Sequence, residues 1–145
     1  MANFAYTFGK LQIMNGAIDL SSDDIRIMLV MTNSTADTDQ DTNFIDQIGT
    51  LDEMDGANYV RKALASEATA VDNPNNRAEF TSDAVTWAAL GAGTRNVLGA
   101  VIFKFVTNDA DSILLAYIDT GGFPFAATGA DVTITPPAEG WIQIT

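Results

Sequence analysis

The sequence contains no cysteine and no histidine, and only seven of its 145 residues are lysine or arginine. Without cysteine there are no disulfides, thiolate metal sites or cysteine nucleophiles, and the chain is indifferent to the redox state of its compartment. Without histidine the commonest zinc ligand and the commonest general base are gone. Ser-His-Asp and Cys-His catalysis therefore cannot be assembled within one chain. Carboxylates, Lys10, Lys62, Lys104, tyrosines and hydroxyls are the groups left for acid–base work. Against the seven basic residues stand nineteen acidic ones, giving a formal net charge of −12 and a pI near 4.1. That balance is opposite to the basic footprint that phosphate neutralisation requires, so nucleic acid is not an expected partner. An anionic membrane surface would repel the chain as well. No apolar run approaches the ~20 residues needed to cross a bilayer. The opening MANFAYTFGKLQIMNG lacks the basic segment and long apolar core of a secretory signal, so the expectation is a soluble protein made in a cytoplasm.

What is present is strand. Alternation is clean in DVTIT, where Val132 and Ile134 oppose Thr133 and Thr135, and in WIQIT, where Ile142 and Ile144 oppose Gln143 and Thr145. Such strands bury one face. Three runs, Ile25 to Met31, Val97 to Phe105 and Ile113 to Ile118, are apolar on both faces, as expected of strands covered on two sides. YVRKALASEATAV reads as one bent strand or two. Asp72-Asn73-Pro74-Asn75-Asn76 then makes a strong turn into RAEF, and AVTW, the Val97 strand, the Ile113 strand, DVTIT and WIQIT follow. Regular turns without intervening amphipathic helices predict one mainly β domain over 1–145, an antiparallel β-sandwich or barrel, and argue against βαβ units. A domain of this size buries roughly 70% of its unfolded surface, so it needs no staple to fold.

Two segments stand outside that pattern. Residues 1–16 carry Phe4, Phe8, Leu11 and Ile13 or Met14 near helical spacing, with Asn15-Gly16 as a stop, and Phe4, Tyr6 and Phe8 as a cluster of aromatics. Gly9 weakens the helix, so either a short helix or an extended arm is expected, and its aromatics need a covering surface, the chain's own body or a neighbouring subunit. As an arm, its removal would leave a folded body. Residues 33–58 form a long acidic loop, with no lysine or arginine between Arg26 and Arg61. Phe44, Ile45 and Ile48 are expected to anchor one helical turn there, with Thr42 or Asn43 as N-cap.

Asp37, Asp39, Asp41 and Asn43 match the first ligand positions of an EF-hand loop. The match ends there: Thr42 stands where the sharp turn needs glycine, and Ile48 where a bidentate glutamate belongs. Asp37, Asp39 and Asp41 remain weak candidates for a calcium site, with a solvated acidic loop as the plainer expectation. Asp52, Glu53 and Asp55 form a second acidic group, and Asp109 with Asp111 reads as solubilisation of a hairpin loop. Two carboxylates would suffice for a glycosidase, but nothing in the order of residues places two at the needed separation. Gly91-Ala92-Gly93 is a loop, since no helix follows and no lysine completes a phosphate cradle. Phe123 and Phe125 flank Pro124 and either cap one end of the core or face a partner. Trp87 and Trp141 are expected in the core rather than as sugar-stacking platforms. No cofactor and no catalytic residue is expected, and the reading is non-enzymatic.

Three stretches, NGAIDLSSDDIRIMLV, NNRAEFTSDAVTWAAL and VIFKFV…ILLAYIDTGGFPFAATGADVTITPPAEGWIQIT, follow one another in an order that resembles small virion structural proteins of tailed bacteriophages, of the capsid decoration or cement type. The chain departs from that pattern at Ala88, where proline is common, and at Phe105, where a polar residue is common. The resemblance implies a decoration protein on the exterior of a phage head, in contact with the major capsid protein and acting as a dimer or trimer. Phe4, Tyr6, Phe8, Leu11, Phe123 and Phe125 are its expected partner-facing residues. A tail or neck component is the alternative within the virion, and a calcium- or glycan-binding β-sandwich the alternative outside it.

Overall fold

A five-stranded antiparallel sheet buried on both faces organises the molecule. The computed structural model describes residues 3–145. Its elements are β1 (Phe4–Ala5), α1 (Thr7–Met14), β2 (Ile25–Met31), β3 (Lys62–Ala63), β4 (Ala68–Asp72), β5 (Arg77–Thr81), β6 (Val85–Trp87), β7 (Val97–Lys104), β8 (Ile113–Ile118), β9 (Val132–Ile134) and β10 (Ile142–Ile144). The large sheet has the order β1-β8-β7-β2-β3; β10-β5-β4 and β6-β9 form two smaller sheets. Every pairing is antiparallel. The mainly β expectation holds. The strand pairings give neither a closed barrel nor a simple pair of facing sheets.

The apolar-on-both-faces runs are the inner strands, β2, β7 and β8, and side-chain alternation divides them between two cores. Ile25, Ile27, Leu29 and Met31 of β2 face a larger core with Phe80, Trp87, Ile134, Trp141 and Ile142 from the smaller sheets. Met28 and Val30 face the opposite way, into a second core with Tyr6, Ala36, Ile45, Ile48, Val101, Phe103, Leu114 and Tyr117. The chain therefore covers its own central sheet twice, and a partner subunit is not required for that purpose.

The acidic excursion supplies part of that second cover. Ile45 heads a 3-10 turn, Ile45–Gln47, as the apolar cluster predicted, but its N-cap is Phe44 and carries no side-chain cap, not Thr42 or Asn43. The returning chain then takes over hydrogen bonds on the free edge of β2: Met54 N donates to Leu29 O at 2.9 Å and Met31 N donates to Asp52 O at 2.7 Å.

The N-terminal segment is built into the body rather than swung out as an arm. β1 pairs with β8 through Phe4 and Ala5, and Tyr6 is fully enclosed, its hydroxyl donating to Ala36 O at 2.5 Å. α1 lies on β8 and ends at Asn15-Gly16, with Gly16 at φ 77°, as the stop signal predicted. Gly9 is the residue that lets it lie there. A Cβ at Gly9 would fall well inside van der Waals contact with the Leu114 carbonyl oxygen and 3.1 Å from Leu115 Cα. Removing residues 1–16 would thus uncover the second core and strip the edge of β8, instead of leaving a folded body.

Candidate interaction surface

The residues singled out from the sequence are dispersed. Tyr6 offers no surface to a partner. Phe4 is half-buried, edge-on to Tyr6 at 5.0 Å and stacked near Tyr117 at 5.6 Å. Phe8 is half-buried against Phe44, ring centres 5.5 Å apart. Only Leu11 of that set stands in solvent, 51% exposed. Phe123 and Phe125 pack on each other at 5.5 Å and against the larger core. Phe125 is also tied by its backbone to Val97, N–H to carbonyl in both directions. These two close one end of the core.

The tryptophans are core residues with satisfied indoles. Trp87 Nε1 donates to Val60 O at 2.7 Å, and Trp141 Nε1 donates to Ser82 Oγ at 2.8 Å. Neither ring is available for a sugar, since both are almost wholly enclosed. Asp39 and Asp41 are exposed, with Asp41 N donating to Asp39 Oδ1 at 2.9 Å in a local turn. Among the described residues no group of three acidic side chains converges as a metal site would require.

Sequence reasoning missed the polar centre. Arg61 meets Glu53 with Nε–Oε1 2.8 Å and Nη2–Oε2 2.7 Å, and meets Asp109 with Nη2–Oδ2 3.0 Å. Tyr59 OH donates to Glu53 Oε1 at 2.8 Å and accepts from Leu29 N at 3.0 Å. The fork geometry of guanidinium lets one side chain grip two carboxylates at once. Those hydrogen bonds hold Arg61 firmly protonated, and burial pushes the Tyr59 phenol well above its ordinary value. Asp109 is thus an anchor of the 33–58 excursion and not a solubilising loop residue. Asp52 and Asp55 are anchored too, on Arg95 and on Thr94. The available signal was Arg61 itself, the first base after a long acidic stretch, in a residue type that stays charged wherever it is placed.

The surface most suited to contact a partner is one the sequence indicated only in part. In the β10-β5-β4 sheet, Ile144 pairs with Ala78 and Ala78 with Val71, while Ile142 pairs with Phe80 and Phe80 with Thr69. Directly paired residues share a face, so both rows lie on the core side of this sheet. The inner row is covered, with Phe80 and Ile142 buried. The outer row overhangs the body: Val71 is 74% and Ile144 50% exposed, and Ala78 is exposed. On the opposite face of the same strands Arg77 bridges Asp72 at 2.9 Å and Glu79 at 3.3 Å. The sheet is therefore amphipathic beyond the point where the body covers it.

Ile144 stands between two depressions. One, about 590 Å³, lies between β1 and β10 and is walled by Phe4, Lys10, Met14, Glu139 and Trp141 among others. The other, about 120 Å³, is apolar and floored by Ile13, Leu20 and Phe80. Met14 is 80% exposed beside the first. Lone exposed apolar side chains are ordinary on protein surfaces; this row adjoins one apolar depression and one of mixed lining.

Among the described residues no helix is long and apolar enough to cross a membrane. No protein-family model matches this chain, and no curated protein or solved structure matches it either.

Proposed function

We propose that this chain is a non-enzymatic structural component of a tailed-bacteriophage particle, a decoration or cement protein seated on the exterior of the head against neighbouring major capsid subunits. The observation that carries this reading is the uncovered apolar surface at α1 and β10, with Leu11, Met14 and Ile144 in solvent on a body whose own cores are otherwise complete. The order of the segments NGAIDLSSDDIRIMLV, NNRAEFTSDAVTWAAL and the β7-to-β10 stretch, resembling small virion proteins, supports it further.

The physical role is stabilisation by linkage. A protein that binds only the mature shell lowers the free energy of that state relative to opened ones. Lattice-fixed sites raise the effective concentration of each further contact, so modest apolar burial at about 25 cal/mol per Å² suffices. The strongly acidic surface does not compete for the packaged genome.

The test is binding of purified protein to purified heads, with copy number read from the bound fraction. Wild type is expected to load at hundreds of copies per head, and Leu11→Glu to load far less while melting at the wild-type temperature. A dozen or fewer copies, all at one vertex, would move the protein to the neck or tail. Absence of binding to heads and tails alike would remove the virion reading.

A further inference from the structure

We propose that Asn15-Gly16, at the end of α1, is a site of spontaneous deamidation, where the chain turns a neutral amide into a carboxylate without an enzyme. Of the ten asparagines only Asn15 is followed by glycine. The step is an intramolecular attack. The Gly16 nitrogen bonds to Asn15 Cγ, the Cγ–Nδ2 bond breaks, and ammonia leaves with the proton that Gly16 gave up. Water then opens the five-membered imide at either carbonyl. Opening at Cγ gives aspartate; opening at the backbone carbonyl gives isoaspartate, with the chain running through Cβ and Cγ. One water is consumed and one ammonia released, and no oxidant or reductant takes part.

Local structure selects this site and sets its rate. Asn15, Gly16 and Ala17 are exposed, Gly16 stands at φ 77°, and a Cβ built on it would meet nothing within 4 Å, so the peptide after Asn15 has room to turn. The folded cap is not itself the reactive geometry. In the imide, Cβ and the Gly16 nitrogen eclipse one another about the Asn15 Cα–C bond, whereas at ψ 1° the residue's own nitrogen eclipses it. Gly16 N donating to Ile13 O at 3.2 Å and Ala17 N donating to Asn15 Oδ1 at 3.0 Å hold the turn there. Both bonds must open, and both lie at a helix end, where a fold opens at least cost. Ile18, buried in the larger core, confines the opening to the cap. Asp55-Gly56, the one aspartate followed by glycine, could close the same ring but is locked. Its carboxylate accepts from Thr94 N at 2.7 Å, and Gly56 is wedged against the Gly91 carbonyl.

Conversion adds one negative charge to the existing −12, beside Met14, which is 80% exposed, and at a helix C-terminus, where an anion is disfavoured. On the reading that Leu11 and Met14 meet a capsid subunit, that charge weakens the contact as the molecule ages; the site itself does not rest on that reading. The experiment incubates the pure native protein in mildly alkaline buffer and maps its peptides by mass spectrometry, with enzymatic labelling of isoaspartate. Asn15 is expected to convert first, Asp55 to stay intact, and Asn15→Gln, an exposed change that should melt as wild type, to abolish the product. The folded protein should react about tenfold more slowly than a synthetic peptide of residues 10–20, the scale of an opening end turn; a reaction that waited for global unfolding would be slower by about a thousandfold or more. Another asparagine converting first, or Asn15 suppressed to that second degree, would overturn the proposal. Aged wild type should then load onto purified heads less than equally aged Asn15→Gln. Equal loading would overturn the effect of age on binding, whereas fresh protein that ignores heads would remove the virion reading and leave the modification site standing.

Discussion

Replacing Gly9 by alanine sets two well-characterised effects against each other, and the packing of α1 on β8 decides the sign. By propensity alone the change should help, since glycine inside a helix is about 1 kcal/mol less favourable than alanine. Against that stands contact. The new methyl would lie inside the van der Waals envelope of the Leu114 carbonyl oxygen, 3.1 Å from Leu115 Cα and 3.1 Å from Leu115 Cδ2. The Leu115 methyl can turn away, but the backbone cannot, because β8 is held between β7 and β1. The helix itself must lift. Lifting strains the Tyr6 N to Leu115 O bond of 2.9 Å at its first turn and the enclosed Tyr6 hydroxyl behind it. Overpacking of this kind costs about 1–3 kcal/mol. After the propensity gain, a net loss of up to about 2 kcal/mol remains, which for a chain of this size lowers Tm by up to roughly 6 °C. Urea unfolding of Gly9→Ala beside Lys10→Ala, an exposed control expected within about 0.5 kcal/mol of wild type, measures it. A Gly9→Ala protein that melts above wild type would refute the argument, because propensity would then have outweighed the contact.

Arg61→Met should destabilise by about 1–3 kcal/mol, the scale of charged hydrogen bonds lost with their carboxylates left behind, and hydrogen exchange should show earlier opening of 52–59; wild-type protection there would refute the anchoring role. Two neighbouring tyrosines should respond with opposite sign. Tyr6→Phe loses the bond to Ala36 O and should cost about 1 kcal/mol, whereas Tyr117→Phe removes a buried hydroxyl without a hydrogen-bond partner among the described residues and should be neutral or stabilising; equal losses in urea midpoint would contradict this. Acid should destabilise the fold through Asp24 and Asp52, held below the ordinary value of 3.8 by hydrogen bonds from Arg26 and Arg95. Because the folded pKa lies below the unfolded one, their contribution is complete above about pH 5 and is lost as pH falls through the folded values. Urea midpoints should therefore drop below about pH 4, less steeply in Asp52→Asn, and a midpoint that rises on acidification would reverse the sign.

Much of the strand content was legible because it is written in local patterns. The two-faced runs became β2, β7 and β8, and the Asn-Pro-Asn turn joins β4 to β5 as its residues require, with Asn76 at φ 53°. Both tryptophans are in the core, as their strand positions suggested. The candidate surface was legible only in part. Of the residues expected to face a partner, Leu11 is exposed and Tyr6 is enclosed, since the order of residues alone does not say which side of a segment meets the body. Aromatic content near a terminus signals a need for cover without saying who provides it; here β8 and the 33–58 excursion do.

Amino-acid order by itself determined the absent chemistries, the acidic charge, and where most strands and turns fall, because alternation, turn propensity and composition act over a few residues at a time. Tertiary structure alone decided that the central sheet is covered twice within one chain, that Arg61 joins Glu53 to Asp109, 48 residues further along the chain than itself, and that Val71, Ala78 and Ile144 line up uncovered. Those outcomes depend on register and on contacts between residues tens of positions apart. A shift of one residue in the β4–β5–β10 pairing would turn that whole apolar row to the other face.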